Sequence, residues 1–310
     1  MYEYDKRVVL TLDAGGTNFV FSAIQGNNEM ISPIGLPAVS DNLDECLEVL
    51  VKGFDRVIAA IPVPPVAISF AFPGPADYEN GIIGDLPNFP SFRGGVALGP
   101  FLKHKYGIPV FIENDGNLFA YGEALSGALP MINRELSLAG CSREYKNLIG
   151  ITLGTGFGAG VVINKVLLTG DNGCGGDIWL MRNKKYPDML AEESVSIRAV
   201  RRVYSDLSGQ SSASLSPKDI YDIAEGIKEG DSHAAIASFN ELGIMAGAAI
   251  ASVLNVVDGL VVIGGGVAGA SKYILPALIT ELRAQLTTFS GNKFPCVSMQ
   301  VYNGEDESER

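Results

Sequence analysis

Two stretches of the chain repeat one layout: an apolar strand, a glycine turn carrying a threonine, and a second strand. The first runs through Val8-Val9-Leu10-Thr11-Leu12, turns at Asp13-Ala14-Gly15-Gly16-Thr17-Asn18, and continues as Phe19-Val20-Phe21-Ser22-Ala23-Ile24. The second runs through Leu148-Ile149-Gly150-Ile151-Thr152-Leu153, turns across Gly154-Thr155-Gly156-Phe157-Gly158-Ala159-Gly160, and continues as Val161-Val162-Ile163-Asn164. This repetition points to a duplicated fold whose two hairpins each present a glycine turn. Glycine lacks a Cβ, so backbone N–H groups there can approach an anion closely. The threonines add hydroxyl donors, and Asp13 at its strand end is placed to hold a hydrated divalent cation. Taken singly, each turn also reads as a tight hairpin with a surface side chain.

The rest of the chain sets bounds. Its 310 residues allow about two domains of ordinary size. Hydrophobic residues make up 47% and charged residues 19%, which supports a packed core. Lys and Arg total 23 against 35 for Asp and Glu, a net charge of −12, and this excludes the basic face of a nucleic-acid binder. Cys46, Cys141, Cys174 and Cys296 are scattered without a CxxC pair and read as free thiols. Met1-Tyr2-Glu3-Tyr4-Asp5 is not a secretory leader, and the apolar stretch 242–254 is short for a bilayer. The expectation is a cytoplasmic protein with no membrane partner.

Strands alternate with helical patterns along the chain. Helical periods are expected over 42–60, 100–106, 118–125, 192–204, 217–229 and 233–255. Gly243, Gly247 and Ala251, spaced by four, predict close packing of the last of these against another helix. Val66 to Phe72 reads as a buried strand ending at Pro73-Gly74-Pro75. Val110-Phe111-Ile112 ends at Glu113-Asn114-Asp115, and Leu260-Val261-Val262-Ile263 ends at a third glycine turn, Gly264-Gly265-Gly266. Turns of this kind at strand ends indicate open α/β sheets. Asn114 and Asp115 read locally as caps of the following helix, and Asn88 as a turn residue.

These motifs, taken in order, resemble the ROK family of sugar kinases. The matching stretches are 13–18, Phe72-Pro73-Gly74-Pro75, Gly81-Ile82-Ile83, Leu86-Pro87-Asn88-Phe89-Pro90, Glu113-Asn114-Asp115, 153–160 and Val262-Ile263-Gly264-Gly265-Gly266-Val267. The resemblance covers about residues 7 to 285. It implies an α/β, two-domain actin/hexokinase-like ATPase fold (ribonuclease H-like) with a central cleft. The domains would be a small N-terminal α/β domain at 1–123 and a larger one at 124–300, with an acidic tail at 301–310. It also implies ATP and Mg²⁺ as cofactors and a hexose as substrate. Asp13, Gly15, Gly16, Thr17, Asn18, Gly154, Thr155, Gly156, Gly158, Gly265, Gly266 and Val267 would hold ATP, with Asp13 holding Mg²⁺ through water. Asp115 would be the general base, accepting the proton of the attacking sugar hydroxyl. Gly74, Asn88, Asn114, Asp115, Asp177 and Glu192 would bind the sugar, with Glu193 an alternative to Glu192 by one position. The family's oligomers suggest a homodimer.

The chain departs from the family pattern after the second loop. Gly173-Cys174-Gly175-Gly176-Asp177-Ile178-Trp179-Leu180 stands where many members carry a Gly-Glu-x-Gly-His run followed by a cysteine-rich zinc loop. Asp177 replaces the sugar-binding Glu, and no local set of about four zinc ligands exists, so no zinc is expected. Arg182, Lys184 and Lys185 in the shortened loop read as a solvated surface rather than a contact to an acidic substrate. The acidic run 303–310 reads as a solvated tail. Glucokinase-like activity is the leading expectation. The alternatives are a kinase for fructose, mannose, allose or an N-acetyl-hexosamine, and a non-catalytic sugar-binding regulator of the same family.

Overall fold

The structure, a computed structural model, describes residues 2–309 other than Gly16, Pro75, Leu86, Pro87 and Asn88. Two expected site residues, Gly16 and Asn88, therefore lie outside the described residues. The chain divides into two units, Met1–Ala139 with Thr169–Gly173, and Gly140–Leu168 with Cys174–Arg310.

The first unit contains β1 (Val9–Ala14), β2 (Asn18–Gln25), β3 (Asn28–Glu29), β4 (Ile34–Pro37), α1 (Leu43–Ala60), β5 (Ala67–Ala71), β6 (Ala76–Asp77), β7 (Ile82–Ile83), α2 (Leu98–Tyr106), β8 (Val110–Glu113), α3 (Asp115–Leu125) and α4 (Ala128–Leu138). Its main sheet runs β3-β2-β1-β5-β8, with β4 also on β2. The β1–β2 pair is antiparallel, and β5 and β8 follow β1 in parallel. Helix α1 begins where the Asn42 side chain accepts the Glu45 N–H, and it turns Cys46, Leu50, Phe54 and Val57 inward at spacings of three and four. These residues meet Leu10, Phe21, Ile68 and Phe70 from the sheet. Six phenylalanine rings close a circuit: Phe19, Phe21, Phe54, Phe70, Phe72 and Phe89, with centroids 5.2 to 6.4 Å apart. Aromatic contacts at such distances each contribute about 0.5–1.5 kcal/mol beyond burial.

The second unit contains β9 (Leu148–Leu153), β10 (Phe157–Ile163), β11 (Val166–Leu167), α5 (Ile197–Ser208), α6 (Pro217–Ala224), α7 (Ser232–Val257), β12 (Leu260–Gly264), α8 (Ser271–Leu282), β13 (Gln285–Thr287) and β14 (Lys293–Pro295). Its sheet order is β11-β10-β9-β12, with β9–β10 antiparallel and β9–β12 parallel. The hairpin flanked by a parallel strand thus occurs in both units, as the repeated sequence layout requires.

Local signals moved some boundaries. Ser196 caps α5 through the Ala199 N–H, so residues 191–193 form a separate 3₁₀ turn rather than the start of the expected helix. Helix α6 starts on a capping box between Ser216 and Asp219 and stops early, with Gly226 at φ +72°. Helix α7 is long and apolar enough to cross a bilayer by composition, beyond the expected stretch, but it is the core helix of its unit, packed against α5, α6 and α8. Residues 301–309 are largely exposed yet not free, because Arg283 pairs with Glu309 and donates to the Val301 carbonyl.

The small-residue face of α7 packs on α8 as its spacing predicts. A Cβ on Gly243 would stand 2.4 Å from the Ile274 carbonyl oxygen, and one on Gly247 2.8 Å from that of Leu278. Gly243→Ala should therefore destabilise by about 1–3 kcal/mol through overpacking, overriding its gain in helix propensity. Gly122→Ala in α3, where nothing lies within 4 Å of the new Cβ, should instead stabilise by about 0.5–1 kcal/mol. Denaturant midpoints of the two variants check the opposite signs.

Candidate active site

In the first unit, parallel register brings three strand ends to one level. Asp13 of β1 lies beside Ala71 of β5, and Ala71 lies beside Glu113 of β8. The glycine turn, the Phe72-Pro73-Gly74 exit and the Glu113-Asn114-Asp115 exit therefore share the carboxyl edge of the sheet, where open α/β folds bind ligands. Asp13, Thr17, Asn18, Gly74 and Asp115 are exposed there, and Gly15 is half-buried.

Asn114 caps α3. Its side-chain oxygen accepts the Gly116 and Asn117 N–H groups at 2.9 and 3.3 Å. The local capping reading is thus correct, and it leaves the amide nitrogen for other partners. Asp115 occupies the first turn of α3, at the positive end of the helix dipole. Glu113 accepts the Asn114 N–H at 2.8 Å and the Asn117 amide at 3.1 Å, so the exit from β8 is braced from both sides.

Tyr78, not singled out from sequence, joins two of these strand ends. Its hydroxyl donates to the Phe72 carbonyl at 2.9 Å and shares a hydrogen bond with the Asn114 side chain. Burial above all pushes its pKa up to about 12; the Asn114 bond opposes this, and the Asp115 and Glu113 charges add to it. A Cβ on Gly74 would lie 3.0 Å from the same hydroxyl.

In the second unit, the Gly154-Thr155-Gly156 turn joins β9 to β10, with Thr155 exposed. Its base is tied by Gly154 N–H to the Gly156 carbonyl and by Ile197 N–H to the Gly154 carbonyl. Gly158 follows within β10. The third glycine turn leaves β12 beside it, since Gly264 pairs with Thr152. Gly265 is at φ +90° and a Cβ there would stand 2.4 Å from the Leu153 carbonyl oxygen, so only glycine fits. Gly265 and Gly266 are exposed. Val267 follows with its side chain buried in the core, its N–H bonded to the Leu153 carbonyl and its carbonyl accepting from Ala270. Those bonds brace the turn.

Glu192 folds over the second glycine turn. Its carboxylate accepts the Phe157 N–H at 3.1 Å, and a Cβ on Gly156 would stand 2.5 Å from the same oxygen. Its other oxygen accepts from Arg198 at 3.1 Å, and Arg198 also bonds Glu193. This contact favours Glu192 over Glu193 as the residue set against the loop. Asp177 is exposed just after Gly176, which packs on Ala159 of β10. Arg182, Lys184 and Lys185 are exposed, as a solvated loop requires, but the two lysines are also tied down by ion pairs. Lys184 bonds both oxygens of Glu281 at 2.6 Å, and Lys185 bonds Glu241 at 2.7 Å.

The model of the ROK family matches residues 9–306. The chain belongs to the ROK family. A crystal structure of a glucokinase from Parabacteroides distasonis is 66% identical, with a TM-score of 0.85, covering 91% of this chain and 79% of that one. A glucokinase of Thermotoga maritima is 26% identical over 290 residues, 88% of this chain and 86% of the relative. The ROK hexokinase of Thermus thermophilus shares the fold, with a TM-score of 0.70 at 24% identity over 89% of each chain. The α/β, actin/hexokinase-like fold class is that of this ROK family. Among the described residues, no group of three or more His, Cys, Asp or Glu side chains is placed to hold a metal. Asp13, exposed at the end of β1, offers a hard carboxylate oxygen, the donor type that Mg²⁺ takes beside water and phosphate oxygens.

The Tyr78 hydroxyl should titrate late. An unfolded tyrosine ionises near pH 10, so the unfolded chain loses this proton first. The stability contributed by protonated Tyr78 is full below about pH 10 and is lost as pH rises toward about 12. Tyr78→Phe should shrink the alkaline fall in stability without abolishing it, because burial also raises Tyr106. Denaturant titrations of both proteins from pH 8 to 12 check this, and an unchanged alkaline limb would contradict it.

Proposed function

We propose that the chain is an ATP-dependent hexose kinase of glucokinase type. The shared level of Asp13, Ala71 and Glu113 carries the reading, because it sets a cation-holding carboxylate and a candidate base on one sheet edge. Asp115 accepts the proton of the sugar hydroxyl as that oxygen attacks the γ-phosphorus. Asn114, fixed by its capping bonds, orients the same sugar, together with Gly74, Asn88, Asp177 and Glu192. Gly15, Gly16, Thr17 and Asn18 are proposed as phosphate donors. Gly154, Thr155, Gly156 and Gly158 are proposed in the same role, and Gly265, Gly266 and Val267 as neighbours of the adenosine. Mg²⁺, when bound with ATP, neutralises charge on the phosphates, and Asp13 would hold it through water. Positioning and charge neutralisation account for most of phosphoryl transfer, and a base adds about 10²- to 10⁴-fold.

The reading needs no zinc. The segment 181–190, where family members carry a zinc loop, is held by Lys184–Glu281, Lys185–Glu241 and the hydrogen bonds of Asn183. The 66% identity to the Parabacteroides glucokinase supports glucose as the first sugar to test.

ADP release should appear with glucose and Mg²⁺ and vanish without Mg²⁺; silence across a panel of hexoses would defeat the kinase reading. Asp115→Asn should lower kcat by about 10²- to 10⁴-fold while ATP binding stays intact. Elemental analysis of the purified protein should find no stoichiometric zinc.

A further inference from the structure

The geometry points to Asn183 as a positioning residue for Glu192, and so for the sugar; this rests on the sugar-binding role proposed for Glu192. Asn183 is 2% exposed, and its side chain makes every hydrogen bond an asparagine can make. Its oxygen accepts the Lys185 and Tyr186 N–H groups at 3.0 and 3.1 Å, closing a turn on itself. Its nitrogen donates to the Leu190 carbonyl at 3.1 Å and to the Ser194 hydroxyl at 2.7 Å. Those two acceptors stand at either end of the 3₁₀ turn Ala191–Glu193, which carries Glu192. Asn183 thus grips both ends of the short segment whose middle residue lies on the second glycine turn.

The loop that carries Asn183 is itself anchored. Lys184 reaches Glu281 on α8 and Lys185 reaches Glu241 on α7, while Arg202 of α5 lies over the Tyr186 ring at 5.5 Å. Backbone bonds from Asn183 N–H to the Met189 carbonyl and from Ala191 N–H to that of Met181 close it at its base. The loop is therefore a strap, fixed to two helices, whose buried asparagine sets the height and direction of a turn that has only one residue to aim. Glu192 in turn is oriented by Phe157 N–H and Arg198. Loss of the two Asn183 donors would leave the turn its backbone bonds and these last contacts, but its two ends would no longer be tied through one buried side chain.

Asn183→Asp keeps the accepting oxygen and removes both donors. Calorimetry of glucose binding without nucleotide should show Kd raised by about tenfold, as the turn that aims Glu192 loses both donors that brace it. Ser194→Ala, which deletes one acceptor and no charge, tests the same grip if the first variant fails to fold, and should move Kd in the same direction. The deciding readout is a double-mutant cycle with Glu192→Gln. If Asn183 acts through Glu192, either variant should change Kd by less than about twofold in the Glu192→Gln background. An unchanged Kd in the single variants, or a full and additive loss in both backgrounds, overturns the inference. Glucose binding that is insensitive to Glu192→Gln alone would instead overturn the proposed role of Glu192, and the inference with it.

Discussion

Parallel hydrogen-bonded register is the constraint on which the candidate site depends. Because β1, β5 and β8 run the same way, their carboxyl ends must emerge at one edge, and pairing of Asp13 with Ala71 and of Ala71 with Glu113 fixes them at one height. A slip of one residue would turn every side chain to the opposite face. The phenylalanine circuit opposes such a slip of the strands that carry it, since Phe19 and Phe21 on β2 and Phe70 and Phe72 on β5 and its exit are buried rings that also meet Phe54 and Phe89. Core packing in the first unit thus helps set the height at which Asp115 leaves the sheet.

The second unit solves the same problem with backbone. Val267 N–H bonds Leu153, and Gly265 approaches the same residue more closely than any side chain would allow. Two glycine turns are thereby locked together at the end of β9. The long helix α7 meets α8 through glycines, so it too relies on close main-chain approach. The two units share a hairpin beside a parallel strand, yet the first is packed around a phenylalanine circuit and the second mainly around Ile, Leu and Val, with glycines at the α7–α8 contact.

Around this frame, charges act locally rather than as a field. The chain is acidic overall, but several cations near the candidate site are each committed: Arg198 to Glu192 and Glu193, Lys185 to Glu241, and Lys184 to Glu281. Exposed pairs of this kind contribute little to stability individually. Their effect is geometric, because they fix the strap that contains Asn183 and the turn that contains Glu192.

The sequence by itself determined the repeated hairpins, the glycine turns at strand ends, the capping role of Asn114 and the close packing face of α7. Each of these is written in residues a few positions apart, where local chemistry decides. The tertiary structure decided the rest. Tyr78 became a bridge because Phe72 and Asn114, distant in sequence, end adjacent strands. Lys184 and Lys185 found partners on α8 and α7, respectively, that lie 97 and 56 positions away. Val267 was drawn into the core by Leu153, and the helix expected from residue 192 was cut by the Ser196 cap, freeing Glu192 to fold over Gly156. A motif specifies which groups are available; only the packing of distant segments sets which of them remain free to meet a ligand.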